Sequence, residues 1–300
     1  MSIDTPGDWD GLRAAGRVAH EALVALQAAV RVGISTAELD RVALAVFARH
    51  GARSAPQLVY DFPGTVLICV NDEIVHGVPG PRRLCAGDLV KLDVTVEKDG
   101  YVADAARSVI VAAAGRAGRS AGGGAAADAR RNRAARADQG RPGERAGGRD
   151  EDHPGSRAAR ADQGRPQHRE ARRLITCAED AFAAALSVAR AGRRVNEISR
   201  AVQELVEARG YAVVPGLAGH GVGRTIHEAP RVPNEYDPLQ VDVLTEGLVI
   251  TIEPIICAGR GLAVEDADGW TLRTRDGSLA AHYEQTLMIT RDTPIILTAA

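Results

Sequence analysis

The sequence predicts an α+β protein of two similar halves, with an acidic strand from each half brought to a common centre. Three observations predict this. Residues 89–111, LVKLDVTVEKDGYVADAARSVIV, read as a β-hairpin with two carboxylates on one face. Helix and strand motifs from the first part of the chain recur after residue 174 at a nearly constant offset. Each copy of the strand motif carries a carboxylate, Asp93 or Glu253, at the same place in an apolar run.

Residues 11–51 begin the first half and read as two helices. Leu23, Val24, Leu26 and Val30 mark the apolar face of the first, which ends near Gly33. Ser35 or Thr36 can cap the second, and Leu39, Val42, Val46 and Phe47 line its buried side. His50-Gly51 closes it with a glycine C-cap. In the hairpin, Asp99-Gly100 favours a two-residue turn. Counting back from that turn pairs Lys98 with Tyr101 and Thr95 with Asp104. Side chains alternate along a strand, so Asp93 shares a face with Thr95 and lies diagonal to Asp104, roughly 7–8 Å away at the backbone. Leu92, Val94 and Val96 take the opposite, apolar face. Two acids so placed repel each other unless a cation or a shared proton joins them; a pair of solvent-facing acids is the plain alternative.

The second half repeats the design. A helix at 174–192 precedes another at 194–210. Gly192 stands before Glu197-Ile198 as Gly33 stands before Glu38-Leu39, and Gly210 matches Gly51. LCAGDLVKLDVTV, residues 84–96, aligns with LTEGLVITIEPII, residues 244–256, which sets Asp93 against Glu253. Between Val111 and Leu174 no Val, Ile, Leu, Met or aromatic residue occurs, and RAARADQGRP appears twice. Such a segment cannot bury enough apolar surface to offset chain entropy. The expectation is one domain over 1–300: a first half at 11–112, a disordered low-complexity insertion at 113–170, and a second half at 171–300.

Composition narrows the function. The chain of 300 residues is 45% hydrophobic with a formal net charge of −2, so neither nucleic acid nor an anionic membrane is an expected partner. The first residues lack the basic and then apolar run of a secretory signal, and no apolar stretch approaches the ~20 residues that span a bilayer. Four scattered cysteines without a CxxC pair suit a reducing cytoplasm.

Chemistry-bearing residues cluster in four further motifs. VNDEIVHGVPG holds His76, GLAGHGVGRTIHEAP holds His220 and His227, TIEP holds Glu253, and HYEQTLMIT holds Glu284. Glu253 is the sharpest anomaly: an isolated carboxylate in LVITIEPII is costly to bury, and its strand offers no Lys or Arg. A satisfied ion pair is the plain reading of it; metal ligation fits better. Taken alone, His220 reads more readily as a glycine-loop histidine bonded to backbone than as a ligand. His282, His20 and His50 carry no assigned role, nor do His153 and His168 in the insertion. Several carboxylates with an imidazole make a hard, oxygen-rich set suited to a pair of divalent ions, so the residues alone read as a dinuclear metallohydrolase.

Together, NDEIVHGVP, KLDVTV-KDGYVAD, GHGVGRTIHEAP, TIEP and HYEQT closely resemble type I methionine aminopeptidases over roughly residues 11–111 and 171–298. The resemblance implies the pita-bread fold and hydrolytic removal of the initiator methionine from nascent proteins with a small second residue. It implies two divalent ions (Co, Mn, Fe or Zn) held by Asp93, Asp104, His220, Glu253 and Glu284. A hydroxide bridging them would attack the first carbonyl, with Glu253 as proton acceptor, His227 stabilising the oxyanion and His76 bonded to the scissile amide. Phe62, Leu67 and Trp270 match positions of the methionine pocket. Partners so implied are N-terminal peptides of nascent proteins and a transient ribosome contact, for a cytoplasmic monomer. Two departures stand out. Ile226 replaces a frequent Phe and makes one pocket wall aliphatic, and Ala105-Ala106 stand where relatives often carry Thr or Ser, which weakens the hydrogen bonding around the ligands. The alternatives are an X-Pro peptidase related to prolidase or aminopeptidase P, and a catalytically impaired pita-bread binding protein.

Overall fold

The computed structural model describes residues 1–113 and 166–299. Its centre is a nine-stranded antiparallel sheet. Strands Arg53–Ser54, Leu89–Lys98 and Tyr101–Ile110 come from the first half. Glu284–Met288, Val249–Ile252, Ala218–Gly221 and Glu228–Pro233 continue the sheet from the second. Leu67–Val70 pairs alongside Leu89–Lys98, and Ile295–Ile296 alongside Glu284–Met288.

Two helices cover the sheet in each half. Helix Pro6–Ala29 is longer than the sequence reading, which started it at 11, because Thr5 and Asp8 form a reciprocal capping box around Pro6. Its buried stripe is Ala15, Val18, Ala19, Ala22, Leu23 and Leu26; Val24, expected on that face, is 50% exposed. One residue is 100° of helix, which turns Val24 away from its neighbour Leu23. Helix Thr36–His50 is capped by Ser35, with Glu38 returning the bond, and ends at Gly51 in the left-handed region (φ 61°). Helices Pro166–Val188 and Val195–Ala208 cover the second half. The first of these begins at Pro166 rather than at 174, so the last residues of the expected insertion, His168 included, belong to a helix. The remainder of 113–170 lies outside the described residues, apart from residue 113 itself. Each helix pair closes its own apolar core, one around Leu39, Phe47, Leu92, Val94 and Val96, the other around Leu174, Ile198, Ile250 and Leu287.

The duplication holds at the level of single hydrogen bonds. Gly33 N–H donates to Leu84 O and Gly192 N–H to Leu244 O, both at 2.8 Å. Leu84 N–H returns to Ile34 O and Leu244 N–H to Arg193 O. Isolated bridges Ser35–Arg83 and Arg194–Val243 also correspond. Both glycines take left-handed φ values, 83° and 88°, which an L side chain adopts only under strain.

The halves meet where Tyr101–Ile110 pairs with Glu284–Met288, through Glu284–Ala106 and Gln285–Ala105. Beyond these pairs the Thr286 hydroxyl takes over the ladder, accepting from Asp104 N–H (2.9 Å) and donating to Asp104 O (2.8 Å). The seam is therefore closed by hydrogen bonds beside the acidic residues.

Candidate metal centre

The hairpin has the predicted register. Lys98 pairs with Tyr101 and Thr95 with Asp104; Asp93 faces Ala106. Asp99 and Gly100 both have positive φ, 51° and 81°, as the two-residue turn requires. Asp93 and Asp104 therefore project from the same face, toward a cavity of about 570 Å³.

Glu253 lies just past the strand on which it was expected. Strand Val249–Ile252 ends before it, and Ile255–Cys257 joins a different, three-stranded sheet. Pro254 has no N–H to continue a ladder, so the chain switches sheets at this point and turns Glu253 into the cavity. Asn234 holds its backbone carbonyl at 2.9 Å. Glu284 opens its strand as predicted and is 2% exposed.

His220 sits between two glycines with no room for a side chain. A Cβ on Gly219 would come within 2.5 Å of Thr251 O, and one on Gly221 within 2.2 Å of Ala229 O. His220 N–H donates to the Thr251 hydroxyl (3.1 Å). Its ring Nδ1 lies 2.9 Å from Gly221 O, a bond that requires the proton on Nδ1 and leaves Nε2 with a free lone pair. Gly221→Ala should therefore destabilise the fold by on the order of 2–3 kcal/mol, since backbone has to shift; urea unfolding of the purified variant measures it.

All the predicted site residues line the one cavity: Asp93, Asp104, His220, Glu253 and Glu284, the histidines His76 and His227, and the apolar Phe62, Leu67, Ile226 and Trp270. Phe62 and Trp270 pack edge to face at 5.2 Å. His76 adopts a left-handed backbone (φ 60°), an uncommon conformation for a side chain of this size and one often found at functional sites. Two residues without assigned roles join them. Tyr60 contacts His227 Nδ1 through its hydroxyl, and His282 stands among the carboxylates. For His282 the signal was in the sequence, where it stands two residues before Glu284 in HYEQT, the spacing of side chains that share a face in extended chain.

Electrostatically the cluster is unbalanced. Among the described residues no Lys or Arg pairs with any of the four carboxylates; their cationic-type neighbours are His220 and His282. Burial holds Asp93, Glu253 and Glu284 well above the carboxylate range, with the charge of Asp104 adding to each. Burial also pushes Asp104 up to about 6. His220 falls to about 4 through burial and then the neighbouring His227, and His282 to about 3 through burial and then His76. Both imidazoles are thus neutral lone-pair donors near pH 7.

The donor set fits divalent ions. Asp93 Oδ1, Asp104 Oδ1, Glu284 Oε1 and His282 Nε2 are buried without any hydrogen-bond partner. Two groups of ligand atoms lie within 4.8 Å of one another, Asp93–His282–Glu284 and Asp104–His220–Glu284. Glu284 is common to both, as a carboxylate bridging two ions would be. Ala106 faces Asp93 on one side and Glu284 on the other and offers no hydroxyl to either.

A buried, carboxylate-rich centre at the seam of a duplicated α+β fold defines a metallopeptidase, and the chain belongs to metallopeptidase family M24, whose model matches residues 10–121 and 160–291. Its relatives are more specific. Methionine aminopeptidase 2 of Bacillus subtilis (strain 168) is 35% identical over 300 residues, 99% of each chain. The crystal structure of methionine aminopeptidase from Thermotoga maritima superposes with a TM-score of 0.78 at 26% identity, covering all of both chains. The fold is accordingly the pita-bread fold. A prolidase from Pyrococcus furiosus shares this fold at a TM-score of 0.64 and 21% identity, over 65% of its length.

Proposed function

We propose that this chain is a metal-dependent aminopeptidase that releases the N-terminal methionine of peptides whose second residue is small. The observation that carries the reading is the coincidence of the carboxylate–imidazole centre with an apolar, partly aromatic pocket in one cavity. Asp93, Asp104, His220, Glu253 and Glu284 would hold the ions, which when bound supply Lewis acidity and acidify the attacking water.

The protein's own groups do the rest. Phe62, Leu67, Ile226 and Trp270 take the methionine side chain, whose thioether packs well against aromatic edges. Glu253, acting as a carboxylate that lines the cavity beside the reacting water, accepts its proton. His76 bonds to the scissile amide. Tyr60 keeps its own proton, because burial raises its pKa, and so donates it to His227 Nδ1. That places the ring proton of His227 on Nε2, as a donor to the developing oxyanion. Tyr60→Phe should lower kcat about tenfold with little change in KM, the scale of one lost hydrogen bond of about 1.4 kcal/mol, measured by steady-state methionine release.

The same reading makes the protein a single catalytic unit, a cytoplasmic monomer acting on nascent chains in transient contact with the ribosome. No helix among the described residues is long and apolar enough to cross a membrane, and the four free cysteines suit a reducing compartment. The deciding assay offers Met-Ala-Ser and Ala-Pro-Ala to protein stripped of metal and resupplied with Co or Mn. Metal-dependent cleavage of the first peptide alone supports the reading; cleavage of the second instead would assign an X-Pro peptidase.

A further inference from the structure

Resting on the metal-dependent reading above, we propose that His282 is a sixth protein ligand of the centre, its Nε2 completing one cation position with Asp93 and Glu284. The ring is 2% exposed, yet Nε2 has no hydrogen-bond partner. It faces Glu284 Oε2 at 3.5 Å and Glu253 Oε2 at 3.7 Å. Those separations are long for an N–H···O bond between buried groups free to approach. They are close to the edge of a coordination polyhedron, because metal–nitrogen and metal–oxygen bonds of about 2.0–2.2 Å put adjacent donors about 3.0–3.5 Å apart.

The backbone holds the ring there. His282 ends strand Ala280–His282 and pairs with Ile255, two residues beyond Glu253. The Ser108 hydroxyl accepts from His282 N–H (2.9 Å) and donates to His282 O (2.8 Å), clamping both backbone groups from the acidic hairpin. Glu284, two residues on, projects from the same side. The position is thus fixed by strand Ile255–Cys257 and by the strand that also carries Asp104.

A second imidazole changes the chemistry of the centre. Four carboxylates with one nitrogen suit hard ions, whereas a nitrogen at each position favours Co, Fe or Zn over Mg or Mn. The Asp93–His282–Glu284 position mirrors Asp104–His220–Glu284, so each ion gains one imidazole.

The test is proton NMR of the full-length protein loaded with Co(II), in which each coordinated imidazole contributes one strongly shifted, exchangeable N–H resonance. Two such resonances are expected, one lost in His282→Ala and the other in His220→Ala. Calorimetric Co(II) titration should show two ions, with His282→Ala weakening one of them at least tenfold. A single resonance in the wild-type protein, with two ions bound, would overturn the assignment of His282 alone. No Co(II) bound at all would sink the metalloenzyme reading from which it follows. The wild-type count needs no variant, so a misfolded substitution does not blur the result.

Discussion

Glu253→Gln should release methionine from Met-Ala-Ser about a thousandfold more slowly than the wild-type protein, or worse, with KM within a few-fold. Loss of a positioned proton acceptor typically costs ~10²–10⁴ in rate, and on the proposed reading the same substitution also weakens a metal ligand. KM should hold because the pocket walls Phe62 and Trp270 support each other edge to face and do not depend on the Glu253 charge. The stability of the metal-free variant separates chemistry from misfolding. Burial, and then the charges of Asp104 and Asp93, hold the Glu253 pKa well above normal, so a neutral isostere removes the cost of keeping a proton there at pH 8. Metal-free Glu253→Gln should therefore melt at or above the metal-free wild type. A variant that melts well below it would show that Glu253 organises the fold, and the kinetic loss would then say nothing about proton transfer.

The metal-free wild-type protein should lose stability as pH rises from 6.5 to 8, and added metal should abolish that slope. Asp93, Glu253 and Glu284 have folded pKa values raised well above their unfolded ones. Over this window the unfolded chain has already released these protons while the folded chain retains them, so each pH unit disfavours folding by about 1.4 kcal/mol per proton held. His220 and His282 act oppositely, but only below about pH 6.5, because their folded values are depressed to about 4 and about 3. Above that they are neutral in both states. One retained proton over 1.5 pH units amounts to about 2 kcal/mol, a fall in Tm on the order of 4–8 °C. Bound cations displace the protons, so the metal-induced rise in Tm should be larger at pH 8 than at pH 6.5. Equal rises at both values would mean that the carboxylates are already ionised without metal.

Much of this architecture is legible in the chain because it rests on local rules. The register of the acidic hairpin follows from one Asp-Gly dipeptide and period-two alternation, and the structure pairs Thr95 with Asp104 as counted. The duplicated helix starts and stops follow from caps and glycines whose φ values no other residue tolerates well. Motif order singled out the five residues expected as ligands and the expected pocket residues, and all of them line one cavity.

What the sequence could not decide is where non-local geometry intervenes. Helix Pro6–Ala29 starts early because Asp8 is tied down by partners from elsewhere as well as by Thr5: it accepts from Arg224 and from Tyr101, more than ninety residues away. Glu253 falls outside its strand because Pro254 moves the chain between two sheets, a switch that requires both sheets to be in place. Tyr60 and His227 meet across 167 residues, with no periodicity to announce it. His282 is the clearest case. Its alternation with Glu284 is written in the sequence, but whether that face looks into a core or into a cation site depends on Asp93, on a strand of a different sheet. Sequence alone determined which residues carry charge and on which face of a local element they stand. The tertiary structure decided which of those faces share one desolvated space, because burial among like charges exists only once distant strands have closed around it.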